Sequence, residues 1–189
     1  MVSAKDSRAL ESLMLPTFRV EFDAGKGPAA FRNHWKPDRS GSALWEVLGR
    51  VLDMKGTWYS DTLFGAPYVF TQFPFDLDPL AHVVALGRKV ALFDKPADGA
   101  RQVGSLDHAI VPLAQPLKLP VMLRAASYLE VKHPEVGLCW VRGSGVYSPA
   151  AHRVFFEKRR GKWRWFSLAA ATLAEPPDLI RLQRRSKPG

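Results

Sequence analysis

The chain has 189 residues, with 27 Lys and Arg against 18 Asp and Glu, so its formal charge at neutral pH is +9. A composition that is 47% apolar and 24% charged is typical of a globular protein and excludes a disordered chain, a collagen and a coiled coil. At roughly 150 residues per domain, the length predicts one large domain or two small ones. No stretch reaches the roughly 18 apolar residues of a membrane helix, so we expect no membrane span.

Four elements are predicted before residue 57. Residues 7–15 form a short helix, and residues 17–22 alternate apolar and charged side chains as a half-buried strand does. Residues 31–39 are predicted to form a loop. Ser42 then caps the clearest helix of the chain, in which apolar residues recur at three- and four-residue spacing until Gly56.

The second half of the chain is predicted to consist mainly of short strands. Residues 58–79 are aromatic and contain three prolines, which exclude a long helix. From residue 82 onward, β-branched and aromatic runs alternate with turn sequences, as in a small barrel or sandwich. The predicted strands are 82–86, 88–93, 108–113, 127–131 and 137–141. A hairpin follows, with strands 154–157 and 163–168 and with Gly161 available for a positive φ in its turn.

The excess positive charge is concentrated in two places. Residues 153–164 contain six basic side chains and one acidic side chain, a net +5, and residues 181–189 contribute four more basic ones. Such concentrations attract anions such as nucleic acid, anionic lipid headgroups or acidic polymers. The alternative is a solvated turn followed by a disordered tail. The residues predicted to bind a polyanion are Lys158, Arg159, Arg160, Lys162 and Arg164.

Cys139 is the only cysteine, which excludes an intramolecular disulfide and a metal site built from several thiolates. We predict no cofactor. The N-terminal sequence MVSAKDSRALESLMLP lacks the basic and apolar regions of a secretory signal. The expected location is therefore periplasmic or extracellular if a signal has been removed, and cytoplasmic if Met1 is the true start.

Two stretches of the sequence resemble bacterial Src-homology-3-like domains. The stretch HVVALGRKVALFDKPADGARQVGSLDHAIVPL resembles the opening strands of such a barrel, and GLCWVRGSGVYSPAAHRVFFEKRRGKWRWFSLAA resembles the closing segment of uncharacterised bacterial proteins that carry one. The matching residues are Gly137, Val141, Ser148, Pro149, Arg153, Phe156, Glu157, Lys158, Gly161 and Trp163. The resemblance covers about residues 42–170. It implies ligand or cell-wall binding and no established catalytic residues.

With this resemblance, the elements predict an α+β protein in which a helix-containing N-terminal lobe packs on a small Src-homology-3-like β-barrel. The lobe is expected to comprise residues 1–80 and the barrel, with its closing hairpin, residues 81–175. Residues 176–189 are expected to form a disordered basic tail. The oligomeric state is left open.

His152 and Arg153 form the most prominent polar pair, because the turn before them would place both near the mouth of the barrel. Arg153 there could bind a carboxylate through two hydrogen bonds. The structural alternative is that Arg153 pairs with Glu157 or with an acid from the N-terminal part. The residues predicted to bind a ligand are Tyr147, His152, Arg153, Trp163 and Trp165.

The two hairpin tryptophans have their own alternatives. Strand alternation puts Trp163 and Trp165 on one face of the hairpin, with Lys162 and Arg164 on the other. Their rings could stack on bases, sugars or prolines. At least one of them is expected to pack in the core instead.

Two further sets of side chains could support chemistry, and we interpret both as structural. The first is Asp76, Asp78 and His82, whose spacing suits a divalent cation but leaves coordination incomplete. The second is Cys139, which a nearby His133 or His152 could activate as a nucleophile. Its apolar neighbours indicate a buried residue instead. We therefore predict no metal site and no catalytic residue.

Two functions compete on these observations. The first is a non-catalytic module that binds a peptide or a cell-wall glycopeptide through barrel loops. The second is nucleic-acid binding through the basic aromatic hairpin, residues 153–168. An enzyme that uses Cys139 or the paired aspartates is the least favoured hypothesis. Salt separates the first two, because phosphate-driven binding weakens steeply as salt rises.

Overall fold

The computed structural model describes residues 4–20, 25–118 and 127–170 of the chain. Within these ranges the protein is mixed α+β, as predicted, and its strands form three sheets. No closed barrel occurs among the described residues. None of the helices found there is long and apolar enough to cross a membrane.

The chain divides into two compact units. Unit 1 consists of the described residues up to Gln72 and from His152 onward, and unit 2 is Phe73–Ala151. Unit 2 is therefore inserted in the sequence of unit 1. This division differs from the predicted domains, residues 1–80 and 81–175. The predicted basic tail lies outside the described residues.

The helices and strands follow one another in an order that interrupts unit 1. Its first elements are α1 (Ser7–Ser12), β1 (Met14–Arg19), α2 (Gly27–Trp35), α3 (Ala43–Asp53), β2 (Thr57–Ser60), β3 (Leu63–Ala66) and α4 (Tyr68–Thr71). Unit 2 contains β4 (His82–Ala85), β5 (Val90–Phe93), β6 (Gln102–Leu106), β7 (Ile110–Pro112), β8 (Tyr128–His133), β9 (Gly137–Arg142) and β10 (Val146–Tyr147). Unit 1 resumes with β11 (Arg153–Arg159) and β12 (Lys162–Ala169).

A five-stranded sheet in the order β1-β12-β11-β3-β2 organises unit 1. Strand β1 is parallel to β12, and the other neighbouring pairs are antiparallel. The sheet combines strands that precede unit 2 with the hairpin that follows it. The hairpin predicted to close the barrel therefore belongs to unit 1, because β11 and β12 find their outer hydrogen-bonding partners in β3 and β1.

Aromatic side chains fill the space between this sheet and α2. Trp165 on β12, Phe18 on β1 and Phe31 on α2 are completely buried. Their ring centroids lie between 4.7 and 5.7 Å apart in edge-to-face contacts. Each such contact adds about 0.5–1.5 kcal/mol to the free energy gained by burying apolar area. Trp165 is thus a central core residue of unit 1.

Helix α2 occupies residues 31–35 of the loop that was predicted over residues 31–39, whereas residues 36–39 lie outside any helix or strand. Pro28 lies in its first turn, where the missing amide hydrogen removes no helical hydrogen bond. Phe31 and Trp35, one turn apart, are buried, and Lys36 ends the helix in the left-handed conformation. The sequence did not predict α2 for two reasons. Two apolar positions give only a weak helical periodicity, and the residue that usually signals a helix C-terminus is glycine, whereas here it is Lys36.

The first strand begins earlier than predicted, at Met14 rather than at residue 17. Pro16 is accommodated because β1 is an edge strand of the sheet, where a missing amide hydrogen is tolerated. Phe18 and Val20 are completely buried, as the alternation predicts. Helix α3 also matches its prediction, with Ser42 accepting a capping hydrogen bond from the amide of Leu44.

Short strands enclose an aliphatic core in unit 2. Strands β10-β4-β7 form one sheet and β6-β5-β9-β8 form another. A bridge between Leu113 and Val131 joins the end of the first sheet to β8. The buried core residues are Val83, Ala85, Leu92, Leu106, Val111, Leu113, Val131, Cys139, Val141 and Val146. All of them lie within unit 2, which therefore has a hydrophobic core of its own.

Candidate functional site

Four of the five residues predicted to bind a ligand are buried. Trp165 is completely buried, and Tyr147, His152 and Arg153 each expose less than a tenth of their surface. Tyr147 also belongs to unit 2, whereas the other three belong to unit 1. A ligand cannot stack on a ring that it cannot reach, so these four side chains stabilise the fold. Trp163, the fifth, is partly exposed.

His152 and Arg153 pack against aromatic rings of unit 1. The ring of His152 meets that of Trp35 edge to face at 5.3 Å, and the guanidinium carbon of Arg153 lies 4.1 Å from the centre of the Phe70 ring. The negative face of an aromatic ring attracts a desolvated cation by about 2 kcal/mol. Glu157, a partner suggested for Arg153, pairs with Arg159 at 2.9 Å.

The residues predicted to bind a polyanion form the end of the β11–β12 hairpin. The exposed ones are Lys158, Arg159, Arg160 and Lys162. Arg164 is partly covered and donates a 2.8 Å hydrogen bond to the carbonyl oxygen of Ser12. Arg159 pairs with Glu157 at 2.9 Å. The structure therefore brings all five predicted cations to one end of unit 1.

The register of the hairpin determines which of these side chains share a face. Lys158 lies directly opposite Trp163, and Arg159 lies opposite Lys162. Directly opposite residues of an antiparallel pair project from the same face. Lys158 and Trp163 therefore share one face, and Arg159 and Lys162 share the other. Gly161 in the turn has a φ of 77°, as predicted.

An exposed aromatic cluster extends from Trp163 to the edge of the sheet. Trp58 on edge strand β2 exposes 61% of its surface, and its ring lies 5.2 Å from Trp163 and 5.0 Å from Phe64 on β3. These rings share the face that carries Lys158. We call the group of Trp58, Phe64, Lys158 and Trp163 the Trp58 surface. A tryptophan this exposed leaves a large apolar ring in water, which is common where a partner binds.

Trp58 was not predicted from the sequence as a site residue. It lies in the strand TWYS, where Trp58 and Ser60 are exposed and the residues between and before them are partly buried. The register of β2 against β3 shifts between Trp58 and Ser60, so simple period-2 alternation does not extend through this strand. The abundance of aromatic residues in the surrounding segment also makes Trp58 hard to single out.

The hairpin end is positive on balance. Its five basic residues stand against Glu157 and against Asp61 in the neighbouring β2–β3 turn, which leaves a net charge of +3. The amide of Lys158 donates a 2.7 Å hydrogen bond to the carbonyl oxygen of Thr62, so this turn lies beside the hairpin. The exposed charge is smaller than the +5 of residues 153–164, because Arg153 is buried and Asp61 lies nearby.

Unit 2 also carries a partly exposed aromatic face, on its four-stranded sheet. We call the group of Phe93, Tyr128, Glu130, Leu138 and Trp140 the Trp140 face. Trp140 lies directly opposite Glu130, and the guanidinium of Arg142 stacks over the ring of Tyr128 and pairs with Asp98. The charged residues of this region are Asp98, Glu130, Lys132 and Arg142, and their charges cancel. This face therefore combines partly exposed rings with a neutral balance of charge.

The candidate nucleophile Cys139 is buried in the core of unit 2. Its Sγ lies 4.0 Å from the carbonyl oxygen of Val131, and burial raises the pKa of the thiol above its usual value. The reactive thiolate is therefore disfavoured. The nearby His133 accepts hydrogen bonds through Nδ1 from the amides of Glu135 and Val136 and so stabilises the β8–β9 turn.

Asp78, one of the aspartates considered for a metal site, serves the local backbone. Asp78 accepts a 2.8 Å hydrogen bond from the amide of Leu80, and its carbonyl oxygen lies 2.9 Å from Nδ1 of His82. Among the residues that the structure describes, no three His, Cys, Asp or Glu side chains are grouped to hold a metal ion. These interactions are typical of a polar turn.

Comparison of the chain with models of protein families, with curated proteins and with solved structures finds no match. The geometry and charge of the chain itself are therefore the basis for assigning a function. Two surfaces stand out on that basis, the cationic Trp58 surface with its hairpin in unit 1 and the neutral Trp140 face in unit 2.

Proposed function

We propose that the protein is a non-catalytic module that binds polyanions through the end of the β11–β12 hairpin in unit 1. The observation that carries this proposal is the exposure of four basic side chains at one hairpin end, next to the exposed ring of Trp58. Charges this close together act on a ligand as one field, because they lie within about 10 Å, the screening length of moderate salt.

The turn of the hairpin supports this proposal. Arg160 and Gly161 both have a positive φ, of 50° and 77°, as the two central residues of a tight hairpin turn do. Asn, Asp or Gly is favoured at the first of these positions, and arginine there costs about 1 kcal/mol of backbone strain. The turn therefore presents Arg160 at the exposed tip of the hairpin.

Phosphate-rich polymers are the simplest ligands for such a site. Lysine and arginine that neutralise phosphates release condensed counterions, and the logarithm of the binding constant then falls with the logarithm of the salt concentration. With three or four phosphate contacts on a single strand, the slope is about −2 to −3. A fourfold rise in salt should then weaken binding by about 20- to 60-fold.

The test compares two variants that lose the same number of positive charges. In the hairpin variant Lys158, Arg159, Arg160 and Lys162 are changed to Gln, and in the control variant Lys89, Lys95, Arg101 and Lys132 of unit 2 are changed to Gln. Binding to inorganic polyphosphate is measured by calorimetry at low and moderate salt. We expect the hairpin variant to lose at least tenfold in affinity and the control variant to change little. Equal losses in the two variants would contradict the proposed site.

Four of the five side chains predicted to bind a peptide or glycopeptide are buried, and the fifth, Trp163, belongs to the Trp58 surface, so we propose a polyanion as the ligand. For unit 2 we retain the Src-homology-3-like arrangement as a proposal. It is supported by short antiparallel strands around one core and by the bridge that joins its two sheets. An experimental structure of the protein would test this proposal through the strand order around that core.

A further inference from the structure

We infer that the Trp58 surface stacks nucleobases, so that the hairpin binds single-stranded nucleic acid in preference to other polyanions. This inference rests on the proposed polyanion function and narrows its ligand class. The cations alone do not distinguish a nucleic acid from polyphosphate or heparin, because all of them are dense in negative charge. A stacking ring does, since only the nucleic acid carries aromatic bases.

Trp58 is the most exposed ring of the Trp58 surface. With 61% of its surface in contact with solvent, much of the Trp58 side chain is open to a ligand. Its edge-to-face contact with Trp163 and its tilted contact with Phe64 restrict the movement of the ring. A ring positioned in this way loses little conformational entropy when a base stacks on it, which favours binding.

Lys158 places a cation beside one of these rings. Lys158 and Trp163 are directly opposite each other on adjacent strands, so their Cβ atoms lie about 4.5–5.5 Å apart. In a nucleic-acid strand each base is linked to a neighbouring phosphate. A cation beside a stacking ring therefore suits a ligand that presents an aromatic base and a negative charge side by side.

The form of the nucleic acid follows from the same geometry. In a duplex both faces of each internal base are covered by neighbouring base pairs, so the ring of Trp58 cannot reach them without unstacking. A single strand can turn its bases outward at small cost. Stacking of this kind is tolerant of sequence, since every base has an aromatic face. We therefore expect a preference for single strands and little preference among bases.

The Trp140 face is a natural control within the same chain. Trp140 is also partly exposed on a sheet, and its directly opposite neighbour is Glu130 in place of a lysine. A carboxylate beside the ring repels phosphate. Aromatic area open to solvent is thus present on both surfaces, but the residue directly opposite the tryptophan is a cation, Lys158, on one and a carboxylate, Glu130, on the other.

The experiment measures affinity for three probes by competition: a 12-nucleotide single strand of deoxythymidine, the corresponding duplex with deoxyadenosine, and inorganic polyphosphate of about the same charge. The proteins are the full chain and its Trp58→Ala, Trp58→Phe and Trp140→Ala variants. We expect the full chain to bind the single strand about tenfold more tightly than polyphosphate. Trp58→Ala should remove this preference and leave polyphosphate binding unchanged, whereas Trp58→Phe and Trp140→Ala should preserve it.

The outcomes separate this inference from the proposed function. Equal affinity for the single strand and polyphosphate in the full chain would overturn base stacking and leave polyanion binding in place. The same holds if Trp58→Ala weakens both ligands equally. Failure of the full chain to bind any of the three probes would overturn both. Trp58 is mostly exposed, so its substitution tests binding without removing a core residue.

Discussion

The Trp58 surface of unit 1 and the Trp140 face of unit 2 contain similar rings beside opposite charges. Trp163 lies opposite Lys158, and Trp140 lies opposite Glu130, each pair on adjacent antiparallel strands. If exposed rings alone defined a nucleic-acid site, both surfaces would qualify. Under the proposed function, the difference in charge predicts that a ring provides selectivity only where a cation also holds the strand.

The two units also differ in how their cores are built. Unit 1 is centred on aromatic rings around Trp165 and draws strands from both sides of an insertion, whereas unit 2 is one continuous segment with an aliphatic core. Separate cores predict that damage to one unit leaves the other folded. Binding can therefore be assigned to a unit by breaking each core in turn.

The largest effect is expected from breaking the core of unit 1. Trp165→Ala removes the ring that contacts Phe18 and Phe31 and should destabilise the protein by about 3–5 kcal/mol. Leu92→Ala in unit 2 should cost about 2–5 kcal/mol. Thermal unfolding measures both. When polyanion binding is measured near the unfolding temperature, it should be lost in Trp165→Ala and kept in Leu92→Ala. Loss of binding in both variants would contradict the assignment of the binding site to unit 1.

A charge exchange sharpens the comparison of the two surfaces. Lys158→Glu places a carboxylate beside Trp163 and should weaken binding of single-stranded DNA about tenfold, because it removes one phosphate contact and adds repulsion. Glu130→Lys makes the pair around Trp140 resemble that around Trp163 and should leave binding equal or slightly stronger. Fluorescence anisotropy measures both. A gain in affinity after Glu130→Lys as large as the loss after Lys158→Glu would show that the Trp140 face contributes to the site.

A smaller effect is expected at the start of α3, which contributes no residue to the Trp58 surface. The hydroxyl of Ser42 donates a 2.7 Å hydrogen bond to the carbonyl oxygen of Trp35 and also accepts from the amide of Leu44. Ser42→Ala should lower the free energy of unfolding by about 1 kcal/mol. Chemical denaturation measures the loss. Affinity for single-stranded DNA should stay unchanged, and a parallel fall in affinity would indicate that α3 influences the hairpin.

The smallest effect concerns pH and the link between α1 and α2. Asp38 accepts a hydrogen bond from Ser7 and pairs with Arg32, and these interactions lower the pKa of its carboxyl group below the usual 3.8. The stability they add is complete above that value and is lost as the pH falls through the lowered pKa. Asp38→Asn should therefore flatten the acid limb of the stability curve below about pH 4. An unchanged acid limb would contradict the role of this pair.

Local elements of the fold could be predicted from the sequence, because their signals lie within a few residues. The apolar spacing after Ser42 specified α3, and alternation along the hairpin placed Trp163 and Trp165 on one face. The burial of Trp165 also matched the expectation that one of the two rings belongs to the core. Short-range periodicity is sufficient for such predictions.

Longer-range pairing could not be predicted in the same way. Strand β11 pairs with β3 across the 79 residues of unit 2, from Phe73 to Ala151. No local pattern specifies which strand will pair with a given strand edge over such a distance. The hairpin was therefore predicted to close the barrel that directly precedes it in the sequence. The same limit concealed the site, because Trp58 and Trp163 are distant in the chain and meet only across the completed sheet.

Base stacking at Trp58 and Trp163 is the central prediction for this protein. Two-dimensional NMR of the indole N–H groups of the six tryptophans, before and after addition of single-stranded DNA, tests this directly. We predict that the signals of Trp58 and Trp163 shift as DNA is added, while those of Trp140 and the buried Trp165 stay in place. Shifts at Trp140 with none at Trp58 would contradict the account.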